Sequence, residues 1–289
     1  MNMDGMEKDV TGKIQSEKTG RTPSKMMGRA QTGAMQSEVT DPMQKVIDVC
    51  LLAGRIMMQS GAETYRVEDT MTRMAASCGI KNAQTFVIPT GIILSIEGLN
   101  NPTHLARINE RSTDLEKVAR VNHISRKMAG GELSVEEAYQ ALTELHTANL
   151  SFPIWLQITA AALASGCFLI MFKGVWSDFF SAVCVGGIGF STLLIIHHFT
   201  KVKFFAEFIA SLVIGIVSVS LVSYGVGEQL DKIIIGSVMP LVPGLLITNA
   251  VRDLMAGHFV SGLSKGAEAF FTAFAIGAGV AVIFSFHAV

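Results

Sequence analysis

Polar and apolar positions divide this chain into two stretches of opposite character. Between residues 42 and 150 the apolar residues recur at the periods of half-buried elements, and from residue 153 they run almost unbroken. Asp41-Pro42 reads as a helix start, an N-cap acceptor followed by proline at the first helical position. Val46, Val49, Cys50, Ala53, Ile56 and Met57 then follow at helical spacing up to Ser60-Gly61. A second helix, with Val67, Met71, Met74 and Cys78 on one face, ends at Gly79. The β-rich runs "TFVIPTGIILSIEG" and "HLARIN" are punctuated by Pro89-Thr90-Gly91 and by Gly98-Leu99-Asn100-Asn101-Pro102, which predicts a small antiparallel sheet. Thr113 with Glu116, and Ser134 with Glu137, read as capping boxes for two more helices. The first closes at Gly130-Gly131, and Val135, Ala138, Leu142 and Leu145 stripe the second.

The apolar half holds five candidate membrane segments, at 153–172, 177–198, 204–225, 233–251 and 266–286. Each approaches the ~20 residues that a bilayer requires. Pro240, Pro243 and Gly244 interrupt the fourth, which predicts two short helices with unwound backbone between them. The expected fold class is therefore an α-helical polytopic membrane protein with an N-terminal α+β cytoplasmic domain. Its expected divisions are a disordered tail (1–41), the α+β domain (42–150) and a five-helix transmembrane domain (151–289).

Charge sharpens the division. Residues 153–289 hold only six of the 23 Lys and Arg and six of the 24 Asp and Glu. Residues 1–40 contain no apolar run that could serve as a secretory signal, so the N-terminus is expected inside. Lys201, Lys203, Arg252 and Lys265 then fall on cytoplasmic loops, with Lys173 and Lys232 outside. The net charge of −1 points away from nucleic acid. Cys50, Cys78, Cys167 and Cys184 have no C-x-x-C spacing and read as free thiols. His197 and His198 read as an interfacial pair, and neither a metal nor another cofactor is implied.

Three places could carry chemistry. In "SGAETYRVEDTM", Glu63, Arg66, Glu68, Asp69 and Arg73 crowd one short helix, with Glu63–Arg66 and Asp69–Arg73 at pairing distance along it. This is either a solvated charged face, or a docking surface or ligand site near Gly61. Glu207 opens a polar stripe with Ser211, Gly215 and Ser218; it is either an interfacial glutamate near Lys203 or part of a cavity lining. Glu268 beside Lys265 carries the same ambiguity. Third, the segment after Pro243 and Gly244 presents a helix N-terminus, whose free N–H groups suit a carboxylate. Thr248, Asn249 and Arg252 lie farther along it, and Asp253 could pair with Arg252. The alternative is a proline kink with an interfacial ion pair. Ala269, Ala273, Gly277 and Ala281 form a small-residue column expected to pack helices within the chain, and possible against a second subunit.

"SGAETYRVEDTM", "VIPTGI", "DLEKVARVN" and "PLVPGLLITNAVRDLMAGHFVSGLSKGAEA", in this order, resemble the threonine/serine exporter family of bacterial inner-membrane proteins. The resemblance implies a multi-pass inner-membrane protein with a cytoplasmic N-terminus. Full-length members of that family have about twice as many membrane helices. This chain is similar to the split form, which works with a separate short membrane chain and is associated with dicarboxylate (succinate) export. The single-chain form is associated with threonine and serine export driven by the proton gradient. The resemblance thus implies a subunit of a secondary exporter for small carboxylates. Its partners would be the lipid bilayer and a short subunit of the same family, or a second copy. Protons would couple through Glu207, Asp253 or Glu268. The alternatives are a membrane-anchored hydrolase-like enzyme, or a sensor or scaffold whose N-terminal domain carries the activity. No nucleophile-and-base motif favours the enzyme.

Overall fold

The computed structural model describes residues 42–96 and 103–287; the expected tail, the Asp41 cap and the 98–102 turn lie outside them. Helices α1 (Pro42–Gln59) and α2 (Thr64–Ser77) lead into strands β1 (Ala83–Ile88), β2 (Gly91–Ile96) and β3 (His104–Arg107), followed by α3 (Leu115–Ala129) and α4 (Val135–Thr147). The sheet is antiparallel in the order β1-β2-β3, with Ile88 opposite Gly91 across the Pro89-Thr90 turn. Val87, Ile92, Leu94 and Ala106 on the sheet pack with Met57, Met71, Met74 and Leu142 in one hydrophobic cluster. Ser134 and Glu137 form the expected capping box. At α3 the cap is Asp114, not Thr113; the Asp114 carboxylate accepts from Lys117 N at 3.1 Å.

The apolar half forms α5 (Ile154–Met171), α6 (Phe179–Thr200), α7 (Lys203–Ser223), α8 (Leu230–Val238), α9 (Gly244–Met255) and α10 (Phe259–His287). Short 3₁₀ turns precede α6 and follow α8. Among the described residues, four helical stretches can cross a bilayer by length and composition, and α8 with α9, bent by 60° at the break, makes a fifth where the pair is one span. The last helix starts at Phe259, seven residues before the expected boundary, because "FVSGLSKG" continues the helix through its polar residues.

Packing in this half differs from a soluble core: small hydroxyl residues are buried alongside aliphatic ones such as Leu169, Ile214 and Ile233, and large aromatics lie outside. Phe180, Phe199, Phe270 and Phe274 face outward, whereas Ser165, Ser181, Ser211, Ser218, Ser237 and Thr272 are buried. Glycines permit the close approaches. A Cβ on Gly236 of α8 would stand 2.9 Å from backbone atoms of Ser165 and Leu169 on α5. At the far end, the buried Asp178 carboxylate accepts from the N–H groups of Glu228 and Gln229, both at 2.8 Å, and so fixes the approach to α8. Helices α7 and α10 run parallel: Lys203 meets Glu268, and farther along Gly215 packs on Ile283. The small-residue column on α10 divides. Ala269 is buried, while Ala273, Gly277 and Ala281 face outward, so packing within the chain uses Ala269, Thr272 and Ile276 instead.

Candidate functional site

Three short stretches meet at the end of the bundle next to α2. The first is the turn between α1 and α2. Gly61 adopts φ +85°, a left-handed conformation open to glycine at little cost. Its carbonyl accepts from Asn249 Nδ2 of α9 at 2.8 Å. The second stretch is the C-terminal turn of α9. It ends in a Schellman motif, with Gly257 at φ +87° and His258 N bonded to Asp253 O at 2.9 Å. The third is the first turns of α10, where Ser261 and Lys265 are buried.

Asp253 is the centre. Its side chain is fully buried. One oxygen accepts from Thr64 N at 2.9 Å; the other accepts from Thr64 Oγ1 at 2.9 Å and from Lys265 Nζ at 2.7 Å. The N-cap residue of α2, Glu63, makes no side-chain capping bond. A carboxylate from α9 therefore satisfies an N–H that α2 leaves open, at the positive end of its dipole. Lys265 Nζ completes its shell with Ala62 O at 3.2 Å and Thr64 Oγ1 at 3.4 Å. Glu63 turns instead to two arginines, Arg66 at 3.0 Å and Arg252 at 2.5 Å. Burial pushes the Glu63 carboxyl up, but its own backbone N–H and the Arg252 and Arg66 guanidiniums outweigh burial and hold it below the usual glutamate value.

Beside this cluster, Glu68 accepts from Val87 N at 2.9 Å and lies 3.8 Å from His258 Nε2. Burial holds the Glu68 carboxyl above its usual value; Val87 N–H and His258 offset part of this, and the Asp253 charge adds to it. Ser261 Oγ donates to Val87 O at 3.3 Å.

Residues expected in separate places thus converge: Glu63, Arg66 and Glu68 from α2, with Asn249, Arg252 and Asp253 from α9. Arg252 and Asp253 do not pair with each other, because neighbours on a helix point in different directions. Arg252 takes Glu63, and Asp253 takes Lys265. The charged face of α2 is divided rather than uniformly solvated, since Glu63 is buried, Arg66 and Glu68 are half-buried, and the paired Asp69 and Arg73 are exposed. Pro243 and Gly244 lie at the other end of α9, about 14 Å from Asp253 along the helix. A Cβ on Gly244 would meet nothing within 4 Å, so the break borders open space. Thr248 is exposed, and its hydroxyl bonds to Gly244 O of its own helix at 2.9 Å. Glu207, Ser211 and Ser218 are buried elsewhere, on the face of α7 that includes its contact with α10. Ser211 and Ser218 donate to carbonyls of their own helix, at 2.9 and 2.7 Å. Glu268 pairs with Lys203 at 3.1 Å and Arg111 at 2.7 Å, not with its sequence neighbour Lys265.

Sequence reasoning missed Thr64 and took Lys265 for a loop residue. A usable signal existed: Ser261, Lys265, Ala269 and Thr272 share one helical face. Among the described residues, no group of three or more His, Cys, Asp or Glu is placed to hold a metal ion.

A relative from Mycobacterium tuberculosis, "Probable threonine/serine exporter", is 21% identical over 83% of this chain, which spans 46% of that protein's length. Two relatives called "Probable succinate transporter subunit YjjP" are each 23% identical. The one from Klebsiella aerogenes covers 81% of this chain and 91% of its own length, and the one from Escherichia coli 80% and 90%. No solved structure matches. A family model described as "Putative threonine/serine exporter" matches residues 48–287. With its several apolar helices and a match over most of its length, this multi-pass membrane chain belongs to the threonine/serine exporter family.

Proposed function

We propose that this chain is one subunit of a proton-coupled secondary exporter of small carboxylate metabolites, threonine and serine or dicarboxylates such as succinate. The observation that carries this reading is the carboxylate cradle at the start of α2. Thr64 N, Thr64 Oγ1 and Lys265 Nζ converge on one carboxylate, that of Asp253, with Arg252 close by on Glu63. A substrate carboxylate offers the same oxygens. By competing with Asp253 it would loosen α9, the half-helix that follows the break at Pro243-Gly244, and open the passage there. Binding energy would be spent on a movement rather than on a static complex. Protons would couple through the carboxylates Glu207, Asp253 or Glu268. The side that carries α1–α4 would be cytoplasmic and the membrane the bacterial inner membrane.

The functional unit would be an assembly. The family relative from M. tuberculosis is about twice as long as the matched part, and the YjjP relatives are called subunits. On α10, Ala273, Gly277 and Ala281 offer an outward face on which a short membrane subunit, or a second copy, could pack closely.

The deciding experiment is efflux of radiolabelled threonine and succinate from proteoliposomes, with and without a co-purified short membrane partner, under an imposed pH gradient. Efflux of either solute that requires the partner and follows the gradient is the expected result. Absence of efflux for both solutes, with and without the partner, would set the proposal aside.

A further inference from the structure

Between α7 and α10 lies a second polar pair, outside the cluster around Asp253. Glu207 is 4% exposed, and its Oε2 is buried with no hydrogen-bond partner. Thr272 of α10 is fully buried, and its Oγ1 is likewise without a partner. The two side chains adjoin, without a well-formed bond between them. One turn nearer α2, Lys203 and Glu268 pair at 3.1 Å, and Glu268 also holds Arg111 of the loop before α3 at 2.7 Å.

We propose that Glu207 and Thr272 form a buried proton site, and that its charge decides whether Lys203 stays with Glu268. An ionised carboxylate this deeply buried, with one oxygen out of reach of any partner, is strongly disfavoured. Its nearest cation, Lys203, is taken by Glu268. A proton removes the charge and gives the carboxyl an O–H to donate to Thr272, so one event satisfies both orphaned atoms.

The groups that act on Glu207 are Thr272, Lys203 and Glu268. On the helices packed beside α7, His197 and His198 of α6 are exposed, Cys184 of α6 is half-buried, and Asp231 and Lys232 of α8 pair with each other at 3.4 Å. When Glu207 loses its proton, the new charge competes with Glu268 for Lys203, one helical turn away. Glu268 is then left to Arg111 alone, so the link that runs from the loop before α3 through Glu268 to the start of α7 is cut at Lys203. The protonated site thus holds the junction closed. Its role in transport rests on the exporter proposal; the existence of the proton site does not.

The test is infrared difference spectroscopy of the purified full chain in lipid, across a pH titration without substrate. Among the titrating protonated-carboxyl bands of the parent, which include that of Glu68, one should be missing from Glu207→Gln, and that band reports the site. Thr272→Val should keep the band but move its frequency, since the hydrogen bond to the hydroxyl is lost. Spin labels at Ser112 and Thr200, with native thiols replaced, should separate as pH rises in the parent but not in Glu207→Gln. A parent spectrum in which Glu207→Gln removes no band at any pH, or removal of that band by sodium at constant pH, would overturn the proton site. An unchanged frequency in Thr272→Val would overturn the pairing, and equal label movement in Glu207→Gln the link to Lys203. If Glu207→Gln fails to fold, the band in the parent and its frequency in Thr272→Val still decide. A titrating band without any pH-driven efflux would count against the exporter proposal and leave the proton site standing.

Discussion

The Asp253 carboxylate accepts both the backbone N–H and the hydroxyl of Thr64 at 2.9 Å, although 189 positions separate them in the chain. This bond pair, with Lys265, fastens the helix after the break to the start of α2. Removing one member of a buried ion pair leaves the other uncompensated, at a cost of about 3–5 kcal/mol. Asp253→Ala should therefore lower stability by that order in a thermal unfolding assay. Asp253→Ala combined with Lys265→Met should recover part of the loss, while efflux stays abolished in both. Equal stability of the single and double variants would mean that the pair carries no mutual dependence.

Arg252 and Glu63 make a separate bond at 2.5 Å. Arg252→Lys keeps the charge but not the planar fork. It should weaken substrate retention in binding assays, by about 1–3 kcal/mol if one charged hydrogen bond is lost. Parent-like affinity would remove Arg252 from the proposed site.

Glu63, the N-cap of α2, and Glu68 within it should respond to pH in opposite directions. Glu63 is held below its ordinary value of 4.5, so its stabilising contribution is complete above that value and is lost as pH falls through the lowered one. Glu63→Gln should flatten that acid limb of the stability profile. Glu68 is held above the same ordinary value, so its ionised form costs stability at neutral pH and the cost disappears on acidification. Glu68→Gln, which can still accept from Val87 N–H, should raise stability at neutral pH and converge with the parent in acid. Unfolding midpoints measured across the acid range would reveal either slope.

Gly61 and Gly79 share a left-handed backbone, at φ +85° and +84°. An alanine at either should cost about 1–2 kcal/mol for that conformation. At Gly61 the new Cβ would also press on Ser112 O at 3.3 Å, whereas at Gly79 it would meet nothing within 4 Å. Gly61→Ala should be the more damaging of the two, and should also loosen Asn249. The reverse order in thermal unfolding would show that Ser112 yields freely.

At the break, Gly244→Leu has room, since nothing lies within 4 Å of its Cβ position. The variant should insert and fold like the parent yet block efflux, if the passage runs there. Gly236→Ala is the contrast, because its Cβ would stand 2.9 Å from backbone of α5, and it should fail in stability first. Efflux at parental rates from Gly244→Leu would place the passage elsewhere.

By itself the sequence determined the kinds of element and where most of them lie. Hydrophobic period distinguishes α1, α2 and α4 from the strands, and an apolar run long enough for a bilayer is legible without knowing its neighbours. The break at Pro240 and Pro243 was equally legible, because a missing N–H is a property of the residue and not of its surroundings. Only the tertiary structure decided the partners of the charged groups. Arg252 beside Asp253, and Lys265 near Glu268, looked like local pairs; each instead binds a group brought from elsewhere in the fold. Long side chains reach several ångströms, so their partners depend on how helices cross, which no spacing along one helix encodes. The start of α10 was hidden for a related reason: Lys265 looks like a loop residue until Asp253, Thr64 and Ala62 O surround its ammonium group and make its burial tolerable.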